Sequence, residues 1–206
     1  SPYLFDQALR DRITTHLAAH PRTKIDDPGP RRAAVAITVV ESDRGTGFVL
    51  TRRDAGLRAH SHQCALPGGR IDDGEDAVAA ARRELHEEVA LQTAPDHVLG
   101  LLDDYQTRSG YIITPVVIWS DQASTMVAQP GEVEAIFIID IDELDRPDSP
   151  RWIDIAESDR PVLQLPLLNR LIHAPTGALL YQFGEVAVHG RLARIDQVEE
   201  PIWAWR

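Results

Sequence analysis

Residues 66–91 read LPGGRIDDGEDAVAAARRELHEEVAL. Two glycines and a turn come first, followed by a helix-forming run that carries Arg83, Glu84, Glu87 and Glu88. At about 100° per residue, Val78, Ala81, Leu85 and Val89 fall in one stripe, which should face a core. Glu84 and Glu88 are four residues apart and stack beside that stripe, with Glu87 three residues from Glu84. Like charges at this spacing destabilise a helix by about a few tenths of a kcal/mol. No lysine is interleaved to offset them. Two readings stand at this point. One is a solvated, acid-rich helix face. The other is a cation site, because Mg²⁺ and Mn²⁺ take oxygen ligands from a few carboxylates together with substrate phosphates.

The rest of the chain narrows the choice. Its 206 residues, 43% hydrophobic, suit one globular domain with a sizeable core. The only cysteine, Cys64, rules out an internal disulfide and fits a reducing compartment, so a cytoplasmic location is expected. No Cys-His signature surrounds Cys64, and it reads as a buried thiol. A formal net charge of −11 argues against a general nucleic-acid binder but not against an anionic substrate, since metal ions or a local arginine cluster reverse the potential within one cleft. No apolar run reaches membrane-spanning length, and SPYLFDQALRDR at the start has no basic-then-apolar leader.

Working outward from the central stretch, Leu4, Phe5, Ala8, Leu9, Ile13 and Leu17 predict a helix within 3–20. HPRTKIDDPGPRR (20–32) breaks it as a linker. AAVAITVVE (33–41) and GFVLTRR (47–53) read as a strand hairpin, followed by a long Gly-rich loop over 54–74 and a helix over 75–89. VLGLLDDYQT (98–107) and YIITPVVIWS (111–120) form a second strand pair around RSG, and EVEAIFIIDI (132–141) is a further strand. Asp145 to Arg160 reads as polar and irregular. RPVLQLP, ALLYQF and EVAVHG look like short strands, and IWAW like the start of a last helix. The pattern is mixed α+β with much antiparallel pairing.

The spacing of Gly69, Glu75, Arg83-Glu84-Leu85 and Glu87-Glu88 resembles the Nudix box: Gly, five residues, Glu, seven residues, Arg-Glu-apolar, one residue, Glu-Glu, one residue, Gly-apolar. Ala90-Leu91 stands where the pattern has Gly-apolar. That glycine commonly ends the helix in a left-handed turn, where alanine costs about 1 kcal/mol. The resemblance implies a Nudix fold, with mixed and antiparallel β-sheets sandwiched between helices and a catalytic loop-helix-loop. It implies one Nudix hydrolase domain over 1–206, with its core at about 33–144, an N-terminal helix and linker over 1–30, and a C-terminal extension over 145–206. It also implies hydrolysis of a diphosphate joining a nucleoside to another group, with Mg²⁺ or Mn²⁺. Glu84 and Glu88 would be the main metal ligands, Glu87 a further ligand or the base that prepares water, and the Gly69 carbonyl part of the metal shell. Arg83 and Glu75 would support the acids. Glu132 sits where many Nudix proteins place an acid near the metals.

VLTRRDAGLRAHSHQCALPGG (49–69) further resembles the signature of Nudix coenzyme A pyrophosphatases at Leu50, Thr51, Arg53, Arg58, Pro67, Gly68 and Gly69, and His60 and Gln63 match common forms of it. Val49, Asp54, His62 and Leu66 depart from it. LDDYQTRSGYIITPVV (102–117) resembles a second stretch of that subgroup. Arg52, Arg53, Arg58, Arg70 and His60 crowd the loop beside the box and are candidates for the substrate's phosphates. The implied reaction turns coenzyme A or acyl-CoA into 3′,5′-ADP and 4′-phosphopantetheine or its acyl form. The alternatives are a Nudix hydrolase for ADP-ribose, a dinucleotide or a nucleoside triphosphate, and a non-catalytic binding module of the same fold. The expected partner is therefore a small nucleoside diphosphate derivative, with neither nucleic acid nor membrane, and the resemblance extends to a homodimer.

Overall fold

The computed structural model describes residues 2–54 and 63–205. Arg58, His60 and His62 of the expected substrate loop lie outside the described residues.

Helix α1 (Gln7–Ala19) starts at Asp6, whose side chain accepts from the Leu9 amide at 2.8 Å, a standard N-cap. The linker leads into β1 (Arg31–Ser42), which pairs antiparallel with β2 (Gly45–Arg53) around a tight turn, with Ser42 opposite Gly45. Within the Gly-rich segment lie two short strands, β3 (Cys64–Ala65) against β2 and β4 (Gly68–Arg70) against β1. Helix α2 (Ala77–Val89) follows, then β5 (Val98–Leu101), β6 (Tyr105–Gln106), β7 (Tyr111–Trp119) and β8 (Val133–Asp140). These strands make one mixed sheet with the order β3-β2-β1-β7-β5. Within it β4 joins β1, β6 joins β7 and β8 joins β2, and β1 and β7 run parallel. A small antiparallel sheet holds β9 (Arg151–Ile155), β10 (Ser158–Leu167) and β11 (Arg170–Ile172).

Strand alternation assigns the two faces of the large sheet. Ala34, Ala36, Val116 and Ile118 face α2, meeting Ala80, Ala81, Leu85 and Val89. Ile37, Val39, Val117 and Trp119 face the other way, into a larger core with Ile13 and Leu17 of α1. That core also takes Leu163 and Leu165 of β10 and Leu179 and Leu180 of α3 (Thr176–Gln182). The α2 side is built largely from alanine, so the helix lies close on β1 and β4. The sheet is thus covered by helices on both faces, the α+β Nudix arrangement expected from the sequence.

Three local expectations are corrected. Residues 151–155, read as irregular, form β9; it is an edge strand with Trp152 and Ile153 both exposed, so no burial alternation marks it. ALLYQF and EVAVHG, read as strands, are α3 and the π-helical turn Phe183–Val188 that continues it. These runs are buried nearly all round, and short apolar runs of that kind do not separate helix from strand by periodicity. IWAW forms only a 3₁₀ turn, Ile202–Ala204.

Candidate active site

The site grows from β4 and the turn that follows it. Gly69 pairs with Ala34 of β1, and a Cβ added at Gly68 would collide with the Ala34 carbonyl and Val35. A Cβ on Gly69 would collide with the Glu84 carboxylate, so the glycine is what lets that acid approach the backbone. The turn closes through the Glu75 amide to the Asp72 carbonyl (3.0 Å) and the Asp72 amide to Glu75 Oε2 (3.1 Å). Asp76 caps α2 by accepting from the Ala79 amide at 2.7 Å.

Arg83 holds the acids together. Its guanidinium donates to both oxygens of Glu75 (3.0 Å each), to Glu84 Oε1 (2.8 Å), to Glu87 Oε2 (3.0 Å) and to the Arg70 carbonyl (3.0 Å). A bidentate pair with three further acceptors uses the planar fork fully, which a lysine cannot do. The three glutamates differ in exposure. Glu87 is half exposed, Glu84 mostly covered, and Glu88 buried, with the Gly68 amide 3.5 Å from its Oε1.

Burial raises the pKa of Glu84 above the usual carboxylate range; the Arg83 hydrogen bond opposes this, and the charges of Glu87 and Glu132 add to it. Burial pushes Glu88 up further, to about 7. The Gly68 amide and Arg53 oppose that rise, while Glu84 and Glu132 reinforce it. The charges of Glu132 and Arg53 thus act on the box, although both residues lie outside it in sequence.

Among the described residues no three acidic, histidine or cysteine side chains are gathered into a ready-made cage. The residues present nevertheless suit a hard divalent cation. The donors are all oxygens, the glycine cradle seats Glu84 against backbone, and burial raises the pKa of both covered carboxylates, a cost that a bound cation would offset. Mg²⁺ keeps several waters and shares its shell with substrate phosphates, so a complete protein cage is not required. Glu84, Glu87, Glu88 and the Gly69 carbonyl could hold it.

The arginines divide. The Arg53 charge acts on Glu88 of the box, while Arg52 is engaged by Glu134 (2.8 and 3.2 Å) and lies over the Phe137 ring. Arg70 donates to the Tyr111 hydroxyl at 3.0 Å. The sequence reading missed Tyr111, whose only signal was an aromatic residue opening a strand after the RSG turn. In LDDYQTRSG the aspartates are scaffold. Asp103 accepts from the Thr23 amide (2.8 Å), Gln182 (2.8 Å), Arg194 (3.0 Å) and, with a protonated ring nitrogen, His20 (2.9 Å). Asp104 accepts from Arg22 (2.6 Å), Thr114 (2.7 Å) and the Ile25 amide (3.0 Å).

A loop-helix-loop that stacks carboxylates beside a glycine cradle, on one face of a mixed sheet, defines a class of cation-using phosphate enzymes. The NUDIX domain model matches residues 30–161, and the chain belongs to the Nudix family. It is 36% identical over 130 residues to the uncharacterized Nudix hydrolase NudL of Escherichia coli K12, covering 63% of this chain and 67% of that protein. The NudL protein of Escherichia fergusonii matches to the same extent. Among solved structures, the MutT/nudix family protein of Enterococcus faecalis superposes with a TM-score of 0.51 at 10% identity, over 89% of this chain and 73% of that one. That likeness extends beyond the stretch matched by the family model.

Proposed function

We propose that this Nudix protein hydrolyses the diphosphate of coenzyme A and its thioesters, releasing 3′,5′-ADP and 4′-phosphopantetheine or its acyl form. One feature supports the reading: the charge of Arg53, from the coenzyme A-type signature, acts on the buried Glu88 of the box. Glu84 and Glu88, with the Gly69 carbonyl, would hold the divalent cation, and Glu132, whose charge acts on both acids, is the further candidate. When bound, the cation neutralises phosphate charge and supplies a more acidic water. Glu87, half exposed and oriented by Arg83, takes the proton from the attacking water. Arg83, locked by Glu75, fixes the direction of the carboxylates, so catalysis is mostly positioning and electrostatics. Arg53 takes a phosphate oxygen of the substrate.

A hydrolase for another nucleoside diphosphate derivative is favoured by one feature: Glu134 already neutralises Arg52, leaving fewer cations for a 3′-phosphate. Product analysis decides between the two. Coenzyme A, acetyl-CoA, ADP-ribose, NADH and a nucleoside triphosphate are each incubated with Mg²⁺ or Mn²⁺, with Glu88→Gln as control. The proposal predicts 3′,5′-ADP from the two coenzyme A samples and its loss in the control. Cleavage of ADP-ribose or NADH in preference would overturn the substrate assignment. No cleavage of any sample would overturn the enzymatic reading.

A further inference from the structure

Two arginines meet on one tyrosine where β4 leaves the box. Tyr111 opens β7, and Thr107 pins its backbone: the Thr107 amide donates to the Tyr111 carbonyl (2.8 Å), and Thr107 Oγ1 accepts from the Tyr111 amide (3.0 Å). Arg31, its register partner on β1, lies over the ring with the guanidinium carbon 4.2 Å from the centroid. Arg70, the last residue of β4, donates from Nε to the Tyr111 hydroxyl at 3.0 Å, with its guanidinium carbon 5.8 Å from the same centroid. Both arginines are exposed. Among the described residues neither has a carboxylate within ion-pair distance, whereas Arg52, Arg83, Arg160 and Arg194 each hold one. Asp72, two residues beyond Arg70, turns to Arg83 (3.9 Å).

The donors of this cluster are largely unspent. In hydrogen bonding Arg70 uses its side-chain Nε alone, and Arg31 makes one long contact, from Nη2 to the Ser109 carbonyl at 3.4 Å. The Tyr111 oxygen accepts from Arg70, so its own hydrogen is free to donate, and no acceptor for it lies among the described residues. Two guanidinium forks and a hydroxyl, all donors, suit an anion with several oxygens, and the fork geometry matches phosphate. On a chain of net charge −11, two arginines left without carboxylates make a local site for such an anion. The cluster is tied to the box through β4. That strand pairs with β1 on one edge, and its other edge meets α2: the Gly68 amide is 3.5 Å from Glu88 Oε1, and the Arg70 carbonyl accepts from Arg83 at 3.0 Å. A Cβ on Gly69 would collide with the Glu84 carboxylate, and one peptide step leads on to Arg70, so the Arg70 Cα lies within about 8 Å of that carboxylate. Strand alternation places Gly69 on the α2 side and Arg70, Arg31 and Tyr111 on the other, so a ligand that reaches both passes over the β4 edge where Glu88 and Arg83 stand.

We propose that Arg31, Arg70 and Tyr111 clamp a phosphate of the substrate that lies outside the diphosphate to be cleaved. On the coenzyme A reading above, on which this inference rests, that group is the 3′-phosphate. The clamp adds Arg31 and Tyr111 as specificity residues from outside the box and its upstream signature. It also answers the loss of Arg52 to Glu134, because two further cations stand ready on the same sheet.

The test separates this clamp from the reaction. Calorimetry on the full chain with Mg²⁺ compares 3′,5′-ADP with 5′-AMP for wild type, Arg31→Gln, Arg70→Gln and Tyr111→Phe. It is the Arg70 carbonyl that serves Arg83, so Arg70→Gln leaves that contact in place, and each variant's melting temperature checks its fold. Wild type should prefer 3′,5′-ADP by about tenfold or more, and each arginine substitution should remove most of that preference. Tyr111→Phe keeps the ring and loses one donor, and should lower the preference by about threefold. Binding of 5′-AMP should change less in every variant. Equal or absent binding of the two nucleotides by wild type, or a preference that survives both arginine substitutions, overturns the clamp. Turnover is read separately, on coenzyme A and dephospho-coenzyme A. A preference that depends on Arg31 and Arg70, without turnover of coenzyme A, keeps the clamp and removes the proposed reaction. Turnover of coenzyme A that neither the substitutions nor loss of the 3′-phosphate alters does the reverse. An equal fall in kcat on both substrates in the arginine variants also overturns the clamp, because the two arginines would then serve the cleaved diphosphate itself.

Discussion

Single residues set the chemistry of the box, and Glu88 is the clearest case. Its folded-state pKa of about 7 lies above the usual value of 4.5 because burial disfavours the anion. The folded state therefore binds this proton more tightly than the unfolded chain. The stabilisation is fully present below about 4.5 and is lost as pH rises through about 7. In chelator, the melting temperature of the wild type should fall with pH across this window by several degrees more than that of Glu88→Gln, and Mg²⁺ should restore the wild type at the alkaline end. Melting curves at a series of pH values check this; identical slopes for both proteins would contradict it. Arg83→Lys tests the organising role of the guanidinium. A lysine cannot grip Glu75 with two parallel bonds and also reach Glu84 and Glu87. The variant should fold and lose at least tenfold in kcat on the cleaved substrate, with KM changing less.

At the scale of elements, the capped helix α2 converts a spacing in sequence into a site. Its stripe Ala81, Leu85 and Val89 was legible, because the 3.6-residue period is a local rule; its start was not, since the helix was expected from residue 75 and begins at Ala77 behind the N-cap Asp76. The expected cost at Ala90 is visible too: it adopts the left-handed conformation, φ 57° and ψ 19°, that the family pattern gives to glycine. Ala90→Gly should therefore stabilise the protein by about 1 kcal/mol, read as a raised denaturation midpoint with unchanged activity. A lowered midpoint would mean that the strain is relieved elsewhere. Strands β1, β2, β7 and β8 were equally legible, since buried strands read as continuous apolar runs between turns. Strand β9 and helix α3 were not. The first buries neither face, and the second buries nearly all of its residues, so neither carries a one-sided pattern. The pairing of Arg52 with Glu134 and the influence of the Arg53 charge on Glu88 depend on long-range register, which no window of sequence contains.

Across the whole molecule, the C-terminal third completes the core and anchors it through buried charge. Glu199 is fully buried, yet its pKa falls to about 2. Burial alone would raise it, and hydrogen bonds from Arg108, Ser158, the Glu200 amide and Arg160 outweigh that effect. The stabilisation is present above about 4.5 and is lost as pH falls through about 2. Glu199→Ala removes the acceptor shared by Arg108, Arg160, Ser158 and the Glu200 amide; because both arginines are more than a third exposed and can turn to water, it should cost about 1–3 kcal/mol, measured by urea denaturation at neutral pH. The family match ends at residue 161, but Leu163, Leu165, Leu179, Leu180 and Phe183 fill the core beyond it. A chain ending at residue 161 should lose cooperative unfolding, even though it keeps the entire box.

The central claim is that Glu84 and Glu88 hold a divalent cation against Gly69. Titration of Mn²⁺ followed by electron paramagnetic resonance, at a pH of about 8, above the pKa of about 7 to which burial pushes Glu88, tests it most directly on wild type, Glu84→Gln and Glu88→Gln. The account predicts saturable Mn²⁺ binding by the wild type, weakened at least tenfold by either substitution. Equal binding by all three proteins would contradict it, because the cation would then sit elsewhere and the stacked acids would be no more than a charged helix face.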